Sequence, residues 1–144
     1  MTKVLIVEAR FYDDIHDALL EGTTEVLIDA GVEYEVVTLN GALEIPALVN
    51  FAHKSDTHYY DGYVCLGCVI RGETTHYDYV CEETCRGIMD LSIKKKLAIA
   101  NGILTVESKE QAMVRADKNR KNKGGAVARA CLQMIEMKKK FGIK

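Results

Sequence analysis

The sequence predicts an α/β fold, a three-layer sandwich in which helices cover both faces of a four-stranded parallel sheet. Short apolar runs alternate along the chain with segments whose apolar residues recur at helical spacing. Three of the four strand-like runs are apolar almost throughout, which is typical of strands buried on both faces. Because a helix follows each strand, right-handed crossovers bring the strands into one sheet with helices on both sides.

The first half of the chain predicts two strands and two helices in turn. Lys3–Glu8 and Glu33–Leu39 are the strands, and Asp13–Ala30 is the helix between them. That helix ends before Gly31, a residue type common just after helix C-termini. A second helix, Glu44–His53, carries a proline in its first turn, where the missing N–H is tolerated. The buried faces are predicted from Ile15, Ala18, Leu19, Gly22 and Val26 in the first helix and from Ile45, Leu48, Val49 and Ala52 in the second.

The second half repeats the pattern and adds a closing helix. Tyr63–Ile70 and Leu97–Val106 are predicted strands, separated by the helix Thr75–Leu91. A short helix, Lys109–Ala116, and a long one, Gly125–Lys139, complete the chain. The predicted apolar stripe of the helix Thr75–Leu91 is Val80, Thr84, Ile88 and Leu91. That of the helix Gly125–Lys139 is Val127, Ala130, Cys131, Met134 and Ile135.

Composition and charge narrow the class of protein. The chain has 144 residues, of which 48% are hydrophobic and 28% charged, and its formal net charge is −2. This is ordinary globular composition without a basic field that would attract nucleic acid. The first apolar run is too short for a signal peptide or a membrane span. With no repeat or linker, we expect one domain over residues 1–144 and a cytoplasmic location.

The five cysteines favour a structural role. Cys65 and Cys68 form a CxxC, and Cys81 and Cys85 lie four residues apart, so a zinc site is an alternative. The first pair falls within a predicted strand, where a spacing of three residues points the side chains to opposite faces. We therefore expect small core residues in a reducing compartment.

Ligands of parallel sheets bind beyond the carboxyl ends of the strands, which directs attention to the loops there. Phe11 follows the first strand, where it fits either a ligand platform or a loop aromatic that packs on its own helix. Gly41 and Ala42 follow the second strand and are small enough for a planar ring to approach the backbone. Glu44 next to them also fits a plain first-turn carboxylate favoured by the helix dipole.

The loop after the third strand is the most informative. Gly72 leads into Thr74 and Thr75 at a predicted helix N-terminus, where free amides favour an anion such as phosphate. His76 follows, and a histidine can transfer protons near neutral pH. The alternative is a capping threonine with a surface histidine. No glycine-rich dinucleotide fingerprint or nucleotide P-loop is found.

Basic residues follow the fourth strand. Arg115 fits a phosphate clamp with two hydrogen bonds, or an ordinary arginine on a helix surface. Lys123 falls in a predicted loop, Asp117–Gly124. The basic run Lys118–Lys123 in that loop also fits a solvated turn.

Taken in order, these segments resemble the lumazine synthase family. The resemblance runs through ARFY, GALEIP, GCVIRGETTHYDYV, NGILTVESKEQA and NKGGAVARA, and VIRGETTHYDYV is its most specific part. It implies a flavodoxin-like subunit in pentamers, with sites between neighbours. The implied substrates are 5-amino-6-(D-ribitylamino)uracil and 3,4-dihydroxy-2-butanone 4-phosphate, without a cofactor, and riboflavin synthase is a candidate partner.

The resemblance also implies roles for individual residues. His76 would transfer protons, Phe11 would stack on the pyrimidine, and Arg115 would bind the phosphate. The other implied substrate-binding residues are Ala42, Leu43, Glu44, Val69, Ile70, Glu73 and Thr74 on one subunit and Asn101 and Lys123 on its neighbour. The chain departs from the family pattern at Tyr12, Ala42 and Asn101, where asparagine, serine and a large apolar residue are frequent. Asn101 thereby removes a surface that would pack on the ring.

Two other functions are compatible with the same fold. One is a flavin- or lumazine-binding module without catalysis, in which Phe11 would still stack on a ring. The other is a structural shell protein. Neither needs a proton-transfer group, so the presence of His76 favours the enzyme.

Overall fold

The computed structural model describes residues Met1–Lys144 and holds one sheet of four parallel strands in the order β2-β1-β3-β4. The predicted fold class is confirmed. The strands are β1 Lys3–Ala9, β2 Glu33–Leu39, β3 Gly62–Ile70 and β4 Ile99–Val106, and the helices are α1 Asp13–Asp29, α2 Ile45–Lys54, α3 His76–Lys94, α4 Lys109–Ala116 and α5 Lys123–Lys140, with a 3₁₀ helix at Ala42–Glu44.

Helices lie on both faces of the sheet because the direction in which strands are added to the sheet reverses after β2. It moves from β1 outward to β2, then back across to β3 and β4, so crossovers of one hand place the helices on opposite faces. Val4 and Ile6 of β1 pack with α1, α4 and α5, whereas Leu5 and Val7 pack with α2 and α3. The reversal lies between β1 and β3, which is where sheets of this type open a crevice for ligands.

The start of α5 differs from the prediction. Lys123 is the first residue of this helix and does not lie in a loop ending at Gly124. Asn122 adopts the left-handed conformation, with φ 48° and ψ 54°, and its side chain accepts a hydrogen bond from the Gly125 amide at 3.1 Å. A Cβ at Gly124 would clash with the carbonyl oxygen of Leu19, so glycine here allows α5 to cross α1 closely.

Three other elements have boundaries that differ from the prediction by one to three residues. The helix predicted from Glu44 begins at Ile45, because Ala42–Glu44 forms the 3₁₀ helix. The helix predicted from Thr75 to Leu91 runs from His76 to Lys94. The strand predicted from Leu97 begins at Ile99, although Leu97 and Ala98 are buried beside it.

The predicted buried faces are confirmed for α3 and partly wrong for α5. Val80, Thr84, Ile88 and Leu91 are all buried in α3. In α5 Ala130 and Met134 are exposed, because this helix buries a narrower stripe than its apolar residues suggest. In α1 the buried face also includes His16 and Thr23, two polar residues that an apolar pattern cannot identify, and Leu27.

The CxxC cysteines point to opposite faces of the sheet, as predicted. Cys65 packs in the core beneath α2 and α3, and Cys68 packs in the core beneath α1 and α5. No group of three or more His, Cys, Asp or Glu side chains is placed to hold a metal ion. A membrane-spanning segment is not found among the α-helices, since none combines the length and apolar character that a span requires.

Candidate active site

A first cavity of about 250 Å³ lies at the carboxyl ends of β1 and β3, beside the loop after β2. We call it the Phe11 cavity. Five residues predicted from the sequence line it, and these are Phe11, Ala42, Val69, Ile70 and His76. The structure therefore brings together residues that lie 65 positions apart along the chain, as 76 minus 11 gives.

Phe11 is the exposed aromatic surface of this cavity. Its side chain is 75% exposed, although phenylalanine side chains are usually buried. Its only aromatic neighbour is Tyr12, whose ring meets it edge-on at 4.9 Å between centroids. Tyr12 itself packs against the core and lies beneath the Lys109 ammonium, at 5.6 Å. The face of Phe11 is therefore available to a flat ring.

The loop after β2 forms a second wall of the Phe11 cavity. Gly41 has an extended backbone, and a Cβ there would lie 2.6 Å from a Glu44 carboxylate oxygen. Any larger residue would displace the Glu44 side chain, so glycine holds that carboxylate close to the loop backbone. Leu43 and Glu44 are exposed on this loop but do not line the cavity.

The loop after β3 leads directly into α3. Its residues from Arg71 to Thr75 are exposed, and His76 is the first residue of the helix. Thr75 gives the helix no side-chain cap, whereas the Thr74 hydroxyl accepts a hydrogen bond from the His76 amide at 3.3 Å. The capping alternative considered from the sequence therefore applies to Thr74, and it does not remove His76 from the cavity.

Arg71 fixes the start of that loop. Its Nε donates to Glu107 Oε2 at 2.9 Å, and its Nη2 donates to Asp78 Oδ1 at 3.3 Å. The guanidinium carbon also lies 4.3 Å from the centre of the Tyr77 ring. Arg71 thus joins the loop after β3 to the first turn of α3 and to the residue that follows β4.

A second cavity, of about 320 Å³, lies beside the edge strand β4, and we call it the Arg115 cavity. Three cationic side chains line it, from Arg115, Lys121 and Lys123, and no acidic residue does. Such a lining favours an anion, and Arg115 can present two parallel N–H groups to it. Sequence reasoning missed Lys121, because its place in the cavity depends on the turn between α4 and α5.

The two cavities share no lining residue. Glu73 and Thr74 stand near the Phe11 cavity without lining it, and Asn101 lines neither cavity. Asn101 lies within β4, where its side chain donates to Cys85 Sγ at 3.5 Å and accepts from the Ile103 amide at 2.9 Å. One chain therefore carries one cavity with an exposed aromatic ring and a separate cavity lined by cations.

The fold and these cavities define a doubly wound α/β protein with a cavity at the reversal of its sheet. Residues 1–139 match the family model for 6,7-dimethyl-8-ribityllumazine synthase. The chain is 59% identical over 139 residues to the protein of that name from Bartonella henselae, covering 96% of this chain and 90% of that protein. It is 56% identical to the one from Agrobacterium fabrum, covering 96% of each chain. The relative of the same name from Zymomonas mobilis is 53% identical, over 98% of this chain and 99% of that protein.

The chain therefore belongs to the 6,7-dimethyl-8-ribityllumazine synthase family and is an enzyme of the transferase class. The resemblance seen in the sequence segments is confirmed over nearly the whole chain.

Proposed function

We propose that the protein joins 5-amino-6-(D-ribitylamino)uracil to 3,4-dihydroxy-2-butanone 4-phosphate and forms 6,7-dimethyl-8-ribityllumazine. This reaction is the penultimate step of riboflavin biosynthesis. The observation that supports this best is the pair of half-sites, one with an exposed aromatic ring and one with three cations and no acid. One substrate is a flat heterocycle and the other an anion, so each matches one half-site.

The reaction needs proton transfers but no electron transfer. The 5-amino group attacks the ketone and forms an imine with loss of water. The carbon that bears the 3-hydroxyl then loses a proton as phosphate leaves, and the resulting enol tautomerises to a second carbonyl. The ribitylamino nitrogen adds to that carbonyl with loss of a second water. The overall change releases one phosphate and two waters, so no oxidant or reductant is needed.

The proposed roles follow from the family resemblance, and the positions of Phe11, His76, Arg115 and Lys123 support them. Phe11 stacks on the pyrimidine, and His76 transfers protons at the mouth of the same cavity. Arg115 and Lys123, with Lys121, hold the phosphate, and Thr74 and the amide of Glu73 approach it from the loop before α3. Contacts to the ring edge and ribityl chain come from Ala42, Leu43, Glu44, Val69, Ile70 and, from a neighbour, Asn101.

Positioning supplies much of the rate in this proposal. Holding two reactants in register is worth on the order of 7–11 kcal/mol in favourable cases. Proton transfer by His76 adds roughly 10²–10⁴-fold. The remainder falls to the cations, which favour the departing phosphate.

We also propose that each complete site is shared between two subunits of a pentamer. The Arg115 cavity lies beside β4, an edge strand, so it is placed where a neighbouring molecule can meet it. In this arrangement the Arg115 cavity of one subunit faces the Phe11 cavity of the next.

We further propose a single domain, a cytoplasmic location and riboflavin synthase as a partner that takes the product.

The direct test mixes the purified protein with both substrates and follows lumazine fluorescence and phosphate release together. We expect one phosphate per lumazine formed, and light scattering on the same sample should give a multiple of five subunits. A protein that binds the pyrimidine but forms no lumazine would favour the non-catalytic binding module instead.

A further inference from the structure

An ion pair joins Glu8 to Arg10, on either side of Ala9, which lines the Phe11 cavity. Glu8, near the end of β1, is only 3% exposed and faces the α1 side of the sheet. Burial of a carboxylate is costly unless the charge is paired and its oxygen atoms are hydrogen-bonded. This residue was not among those predicted from the sequence, where it only ended an apolar run.

Both carboxylate oxygens of Glu8 are hydrogen-bonded. Arg10 donates from Nε to Oε1 and from Nη2 to Oε2, each at 3.1 Å, which is the two-pronged geometry of a strong arginine–carboxylate pair. The Thr38 hydroxyl from β2 donates to Oε1 at 3.0 Å. The charge is thus satisfied by the loop that follows β1 and by the neighbouring strand β2.

Arg10 also reaches forward to α1. Its third nitrogen, Nη1, donates to Asp17 Oδ1 at 2.6 Å and lies 3.5 Å from the Asp13 carbonyl oxygen. Its backbone amide donates to the Leu39 carbonyl at 2.9 Å, which ties the loop to β2. Hydrogen bonding to Glu8 is the main cause that raises the pKa of Arg10 above its ordinary value.

These contacts span the position of Phe11. Glu8 and Arg10 precede it, Asp13 and Asp17 follow it, and one guanidinium binds both sides. The helix that follows lacks the usual restraint, because its N-cap residue Tyr12 makes no side-chain cap hydrogen bond. The orientation of the loop therefore depends on Arg10 more than on the cap.

We propose that Glu8 and Arg10 are positioning residues for the ring substrate, and that their ion pair holds Phe11 exposed toward the cavity before the substrate arrives. A free apolar side chain tends to collapse onto nearby apolar surface, and this restraint prevents it. A surface ordered in advance binds more tightly, since less freedom is lost on binding. The inference rests on the proposed function, because it assigns the pyrimidine ring to Phe11.

The kinetic test compares Glu8→Gln with Glu25→Gln. Both changes remove one carboxylate that pairs with a cation, but Glu25 lies on the exposed face of α1 and binds Lys118 at 2.9 Å, away from both cavities. For Glu8→Gln we expect KM for the ribitylamino-pyrimidine to rise roughly ten-fold. The KM for the sugar phosphate and kcat should stay within about two-fold, and Glu25→Gln should change none of these.

A second readout follows Phe11 without relying on activity. The chain has no tryptophan, so Phe11→Trp places a single reporter in the loop. We expect the fluorescence anisotropy of that tryptophan to fall when Glu8→Gln is added and to stay unchanged when Glu25→Gln is added. Circular dichroism of each variant checks that the fold is retained.

Arg10→Lys provides the same test if Glu8→Gln fails to fold. A lysine keeps the charge beside Glu8 but cannot bind Glu8 and Asp17 together, so the pyrimidine KM and the reporter anisotropy should change in the same directions. The proposal is overturned if folded variants show a lower kcat and an equal rise in both KM values, or if the anisotropy does not change. A wild-type protein that makes no lumazine would refute the proposed function, whereas the anisotropy would still decide whether Glu8 and Arg10 hold Phe11.

Discussion

The Phe11 cavity and the Arg115 cavity differ in the physical means by which they would bind a ligand. The first offers an exposed aromatic face and loop backbone, next to the Glu8–Arg10 ion pair in the sequence. The second offers three cations, one on α4, one on α5 and one in the turn between them, without an acid in its lining. The first therefore selects by shape and the second by charge, and a condensation of a ring with a phosphate ester needs both.

The comparison predicts distinct kinetic failures in the two cavities. A change in the Phe11 cavity should alter the chemical step or the use of the pyrimidine. A change in the Arg115 cavity should alter the use of the sugar phosphate and its dependence on salt. For a variant of the Arg115 cavity, equal loss for both substrates would mean that folding or assembly had been damaged.

The largest effect is expected from His76→Ala. Loss of the proton-transfer group should lower kcat by roughly 10²–10³-fold, with both KM values within a few-fold of wild type. Steady-state kinetics by lumazine fluorescence measure this. His58→Ala is the matched control, because that histidine is exposed in the segment before β3 and lines neither cavity. An unchanged kcat would remove His76 from the mechanism.

A smaller and more selective effect is expected from Arg115→Ala. Removing hydrogen bonds to a charged group costs about 1.5–3 kcal/mol, so kcat/KM for the sugar phosphate should fall roughly 10–100-fold. The pyrimidine KM should change little, and added salt should weaken phosphate use more in wild type than in the variant. Arg129→Ala is a suitable control, since Arg129 is exposed on α5 outside the cavity.

The smallest effect is expected in the pH dependence of stability. His16 is fully buried on α1, and neither ring nitrogen has a hydrogen-bond partner. Burial, with the charge of Arg10, lowers its pKa below the ordinary value, while Glu8, Asp13 and Asp17 act in the opposite direction. At this position the unfolded chain binds a proton more readily than the folded one. The contribution of neutral His16 to the free energy of unfolding is therefore fully present above about pH 6.5 and declines as pH falls below it.

His16→Leu should remove this part of the acid sensitivity. Urea unfolding at pH 7.5 and pH 5.5 should show a smaller loss of unfolding free energy in the variant than in wild type. Identical pH profiles for the two proteins would exclude His16 as the source.

Strands and the buried face of α3 could be predicted because their signal is local. A run such as Val4–Val7 is apolar wherever it folds, and Val80, Thr84, Ile88 and Leu91 recur at helical spacing. His76 and Phe11 could also be placed at the carboxyl edge, because parallel strands bring the loops that follow them to one side.

Other features depend on contacts between distant segments and left no such signal. The start of α5 at Lys123 follows from Asn122 capping the helix and from Gly124 lying against α1. Lys121 joins the Arg115 cavity only through the turn that precedes α5. Glu8 looks like the end of a strand until Arg10 and Thr38 are seen to satisfy its charge.

The central claim is that one complete site takes the Phe11 cavity from one subunit and the Arg115 cavity from another. His76→Ala subunits are nearly inactive alone, and Arg115→Ala subunits use the sugar phosphate poorly. The two should therefore recover activity at low sugar-phosphate concentration when they are co-assembled in equal amounts. With random mixing, the chance that a site has an intact His76 is one half, and the chance that its neighbour supplies an intact Arg115 is also one half. About a quarter of the sites should therefore be restored, as ½ × ½ gives. A co-assembled sample no more active than the two variants measured separately would contradict a site shared between subunits.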